Sequence, residues 1–224
     1  GMFAYAYTFN QDLSSWNLSQ VTDVSFMFAG AISFNNGGQD LSWNVSNVTT
    51  MLGMFHTASI FNSNIGNWNT ISCENMSHMF HGAAHFNQDI SAWDTGNVRD
   101  MDGMFGGASK FNNGGQDLSW NISNVTRMSY MFQDASSFNS NIANWDVSNV
   151  ETMFAMFNNA TSFDQNLSTW NISKAKNTDH LGIGTGVTSM LANTKMYTNN
   201  TQNYINTINA WIAAGYITSS ADVL

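Results

Sequence analysis

The sequence predicts an α/β repeat solenoid of seven coils, each 25–27 residues long. Three observations predict it. The dipeptide Met-Phe recurs at Met2, Met27, Met54, Met79, Met104, Met131 and Met156, at spacings of 25, 27, 25, 25, 27 and 25 residues. Other apolar residues recur in register with it. The copies opening at Met27 and Met104, 77 residues apart, nearly match and share an Asn-Asn-Gly-Gly insertion (Asn35 to Gly38, Asn112 to Gly115).

Each coil can be read in order. After Met-Phe comes a small residue (Ala6, Ala31, Ala58, Ala83, Ala108, Ala135, Ala160), then Phe (Phe9, Phe34, Phe61, Phe86, Phe111, Phe138, Phe163). An aliphatic residue follows (Leu13, Leu41, Ile65, Ile90, Leu118, Ile142, Leu167), then Trp (Trp16, Trp43, Trp68, Trp93, Trp120, Trp145, Trp170). Val21, Val48, Cys73, Val98, Val125, Val150 and Ala175 come next, and Val24 or a second Met closes the coil. In stacked coils each position sits above its counterpart, about 5 Å away if coils pair as strands do. A residue type that fits the core once therefore fits it in every coil.

The stretch V-T-x-M-x-x-M-F-x-x-A spaces its apolar residues by 3, 3, 1 and 3, which suits a short helical or 3-10 segment. The stretch F-N-Q-D-L-S-x-W-N-V-S alternates and suits one or two very short strands. Each coil is thus expected to have a strand side and a short-helix side, as leucine-rich repeats do. The repeat fades after Ser173, so the solenoid is assigned to 1–180 and a C-terminal cap to 181–224. Within the cap an amphipathic helix is expected at about 201–214, begun by Asn200 or Thr201 and ended by Gly215. It would cover the open apolar end of the last coil. The chain opens inside a repeat at Gly1-Met2-Phe3 and so reads as a fragment. Its first coil, with no comparable lid, is a candidate surface for self-association.

Composition narrows the function. Net charge is −9, yet only 9% of residues are charged, and no basic patch exists. Nucleic-acid binding, which rests on neutralising phosphates, is disfavoured, as is binding to anionic membranes. No run of 18 apolar residues is present to span a bilayer. The one cysteine, Cys73, falls in the valine column and is expected in the core.

Two polar columns accompany the apolar ones. Asn10, Asn35, Asn62, Asn87, Asn112, Asn139 and Asp164 follow the Phe column and are expected to form an internal hydrogen-bond ladder. Asp12, Asp40, Asn64, Asp89, Asp117, Asn141 and Asn166 read as turn-capping residues. The stacked carboxylates Asp12, Asp40, Asp89 and Asp117 are also the candidate calcium ligands. His56, His78, His81 and His85 cluster and are the candidate ligands of a transition metal such as Zn²⁺. The bland readings, solvated turns and surface histidines, imply no cofactor. The tryptophans are expected in the core, each N–H bonded to a neighbouring turn. No nucleophile elbow, phosphate loop or HExxH motif occurs, which points away from an enzyme.

The run V-T-x-M-x-x-M-F-x-x-A-x-x-F-N-Q-D-L-S-x-W-N-V-S-N-V, as at Val125 to Val150, resembles the BspA-like leucine-rich repeat surface proteins. It is most similar to their 25-residue subgroup, the mycoplasma-type domain of unknown function, over about residues 1–180, and the tail Thr201 to Gly215 resembles the segment that closes that subgroup. The insertions and the absence of proline depart from the common pattern. The resemblance implies a secreted or cell-surface location and a non-enzymatic role in adhesion to protein or glycan. A structural, self-associating envelope component is the alternative. An ice-binding face fits less well, because the column Thr22, Thr49, Glu74, Arg99, Thr126, Glu151, Lys176 breaks a threonine ladder with charges.

Overall fold

The computed structural model describes residues 1–167 and 169–176. The expected cap at 181–224, with its helix, lies outside the described residues. Within them the repeats lie one upon the next. Parallel bridges run through Asp23, Thr50, Asn75, Asp100, Arg127 and Thr152, one residue per coil.

The apolar columns form one continuous core. Phe34, Phe61, Phe86, Phe111, Phe138 and Phe163 are fully buried, each against the Phe of its own Met-Phe pair, with ring centroids 3.8–4.4 Å apart. Trp16 through Trp170 stack in a single file at 6.1–6.4 Å. Each indole N–H from Trp43 to Trp170 donates to the carbonyl of the aliphatic residue in the preceding coil, for example Trp68 to Leu41 at 2.6 Å and Trp120 to Ile90 at 3.0 Å. The polar edge of each ring is thereby satisfied inside the core. Cys73 is buried as its column requires, and burial pushes its thiol up to about 12.

The backbone differs from the sequence reading. Around Met-Phe there is no helix. Alternate amides go to different places: Met51, Gly53, Phe55 and Thr57 donate forward to Asn75, Ser77, Met79 and His81 of the next coil. The amides between them, of Met54, His56 and Ala58, donate back to Met51, Gly53 and Phe55. A 3-10 helix needs every amide to bond locally. Here every second one is held by the neighbouring coil, so the segment is a chain of tight turns. The F-N-Q-D-L-S-x-W-N stretch forms no strand among the described residues, because side chains supply much of its linkage between coils. The β-type bridges fall instead in V-T-x-M, the stretch expected to be helical. Helical turns among the described residues are Asn36–Gly38 and Asn113–Gly115, both in the insertions.

The turn chain places two left-handed residues in each full coil, four apart: Phe26 and Gly30, Gly53 and Thr57, His78 and Gly82, Gly103 and Gly107, Tyr130 and Asp134, Ala155 and Asn159. In the first of these columns, large and small residues alternate coil by coil (Phe26, Gly53, His78, Gly103, Tyr130, Ala155). The pairing is steric. A Cβ on Gly53 would lie 2.5 Å from the Phe26 ring, and one on Gly103 would lie 2.4 Å from His78. Gly53→Ala combines this clash with a left-handed backbone (φ 57°). It is expected to destabilise by about 1–3 kcal/mol. Gly38→Ala, with φ 82° and open space around it, should cost only the backbone strain of about 1–2 kcal/mol. Urea unfolding of the two variants compares them.

Candidate functional site

The asparagine column forms the expected ladder. Asn10, Asn35, Asn62, Asn87, Asn112 and Asn139 each accept, through Oδ1, the amide of their counterpart one coil on, at 2.7–2.9 Å. These side chains serve the interior rather than a ligand.

The candidate calcium residues are also engaged locally. Asp12 Oδ1 accepts the Ser14 amide at 2.8 Å and Asp89 Oδ1 accepts that of Ser91 at 3.0 Å. Asp40 and Asp117 accept the side-chain amides of Asn64 and Asn141 at 3.2 and 3.4 Å. Among the described residues no set of three or more His, Cys, Asp or Glu side chains is placed to hold a metal ion.

The histidines divide. His85 stands apart, exposed, with Nδ1 3.0 Å from the Ser59 carbonyl. His56, His78 and His81 form one array across two coils. His56 and His81 lie nearly parallel at 5.1 Å, and His78 meets them edge-on at 6.4 and 5.4 Å. His78 rests on Gly103 and His81 on Gly106, where added Cβ atoms would lie 2.4 and 2.6 Å from their rings. His81 Nδ1 is buried with no hydrogen-bond partner. Burial first, then the neighbouring imidazoles, holds His56 and His81 below the ordinary histidine range. Beside the array Arg127 pairs with Asp102 and lies 3.3 Å from Asp100. Burial raises the Asp100 carboxyl despite that arginine.

The outward residues of the Met-Phe side carry what the repeat does not. Among the described residues the large exposed hydrophobic ones are Met2, Tyr5, Tyr7, Phe26, Ile32, Ile60, Ile71 and Tyr130. All but Ile71 lie on this side of their coils. Tyr5 is 67% exposed and Phe26 43%, both at left-handed backbone positions. The sequence reading missed this face. Its signal was the failure of these positions to repeat.

A protein of stacked coils, with interior rows that repeat the same or a similar residue and one side that differs from coil to coil, is a repeat protein. The chain belongs to the family described as Mycoplasma protein of unknown function, DUF285, whose model matches residues 1–42, 36–119 and 115–211. No curated protein and no solved structure matches it. No helix among the described residues is long and apolar enough to cross a membrane.

Proposed function

We propose that the chain is a non-enzymatic binding module, a leucine-rich-repeat-like solenoid of the BspA-like surface type, secreted or held at the cell surface, that contacts protein or glycan. The observation supporting this is the concentration of exposed aromatic and aliphatic side chains on the one side whose residues vary. Large residues at left-handed positions cost about 1–3 kcal/mol each. Phe26 and Tyr130 occupy a column that holds Gly53, Gly103 and Ala155 in the alternate coils, so the backbone at that position does not require a large side chain. Aromatic residues of this kind dominate binding energy when a partner covers them.

The test is a glycan array and a host-protein pull-down with the full chain and with Phe26→Gly/Tyr130→Gly. The variant should still fold, since the relief of the left-handed strain offsets part of the lost contacts of Phe26 on Gly53 and Tyr130 on Phe154, and it should lose at least tenfold in binding. Equal binding by the variant, or no ligand for the parent chain, would remove this reading.

A further inference from the structure

We propose that the His56–His78–His81 array is an acid-responsive joint between coils: the packed rings hold the stack together at neutral pH, and mild acid loosens it there. The argument begins with space. The three rings lie within 6.4 Å of one another. Two of them are seated on glycines that leave no room beneath, since even a Cβ on Gly103 or Gly106 would come within 2.6 Å. The rings have little freedom to separate without moving a coil.

Hydrogen bonding points the same way. An imidazolium carries an N–H at both ring nitrogens, and each needs an acceptor. His81 Nδ1 is buried and makes no hydrogen bond, so the cation would bury an unsatisfied donor there, a cost the Gly103 backbone, which favours the charged ring, only partly offsets. A second proton on the array would add like-charge repulsion.

The surrounding charges work partly against this. Asp100, Asp102 with its Arg127, and Asp134 bear on the array from the following coils. Asp134 favours the charged form of His81, but burial and the two other histidines outweigh it. The sign follows. His56 and His81 titrate lower in the folded chain than the value of about 6.5 for a free histidine. Unfolded chains therefore take up more protons as pH falls. The stability the array contributes is complete above about pH 6.5 and is lost as pH drops through the lower folded values. Asp100, raised by burial, has the opposite sign and must be cancelled by comparison with a variant.

The column neighbours supply that variant. Gln133 occupies the His56 and His81 column, and Tyr130 the His78 column. Thermal unfolding of the full chain, followed by tryptophan fluorescence from pH 8 to 5, is compared with His56→Gln/His78→Tyr/His81→Gln and with His85→Gln as control. The parent chain and the control should lose about 2–4 °C more in Tm between pH 7.5 and 5.5 than the triple variant. Equal losses would overturn the proposal. Should the triple variant fail to fold, NMR titration of the parent's imidazole C–H signals decides. Midpoints for His56 and His81 below 6.5 support the joint; midpoints at or above 6.5 exclude it.

Discussion

Phe105→Ala is expected to destabilise the chain by about 3–5 kcal/mol, the range for deleting a fully buried aromatic ring. Phe105 has no exposed surface. Its ring stacks at 3.8 Å on Phe111 in its own coil, at 5.6 and 5.7 Å on Phe80 and Phe132 in the coils either side, and tilts against Trp120 at 6.2 Å. Removing it damages two coil–coil interfaces at once. In a stack where each repeat contacts only its neighbours, stability is a sum of repeat and interface contributions. Phe3, the counterpart in the first coil, is only partly buried and stacks on one neighbouring coil, through Phe28 at 5.3 Å. Phe3→Ala should therefore cost about half as much or less. Urea unfolding monitored by tryptophan fluorescence measures both. Equal costs would mean that the interior does not transmit along the stack as these ring contacts imply.

The interior was legible because each of its columns repeats one environment. The Phe, Trp and Ala columns were read directly, and so was the asparagine ladder, since a polar residue repeated beside a core Phe needs a repeated partner. The backbone was not legible in the same way. The 3, 3, 1, 3 spacing brings the same side chains inward whether the chain is a 3-10 helix or a series of turns, because both pair residues three apart. Only the destination of each amide separates the two, and the next coil takes every second one. A clue existed in Gly30, Gly82 and Gly107, which share a column with Asp134 and Asn159, types that tolerate a left-handed backbone. Of the candidate site, His56 and His81 could be placed in one column from spacing alone. The burial of His81 Nδ1 depends on Gly106 in the next coil, and nothing in the histidines themselves encodes it.

Asn113→Ala is the second large expected effect, about 2–4 kcal/mol, and it follows from how the insertions are accommodated. Where the next coil carries no insertion the main chain itself can close the gap: the Leu41 amide donates to the Asn64 carbonyl at 3.0 Å, and that of Leu118 to the Asn141 carbonyl at 3.1 Å. Where the next coil carries Asn-Asn-Gly-Gly, a side chain takes that carbonyl's part. Asn113 Oδ1 accepts the Ile90 amide at 2.9 Å, and Asn36 Oδ1 accepts the Leu13 amide at 2.7 Å. Both asparagines are fully buried although the glycines after them are exposed. Asn113 Nδ2 also donates to the Gln116 and Asp117 carbonyls at 3.2 and 3.1 Å, so the same amide holds the loop closed. Alanine would strand the Ile90 amide in a dry interior, at about 1–3 kcal/mol, and release the loop. It would also keep a left-handed backbone, φ 48°. Asn113→Gly separates the two causes, because glycine adopts that φ freely but offers no acceptor. Hydrogen exchange at Ile90 should accelerate in both variants, and the glycine variant should still lose at least 1 kcal/mol. A glycine variant as stable as the parent chain would show that the asparagine is there for its backbone conformation and not for the bond to Ile90.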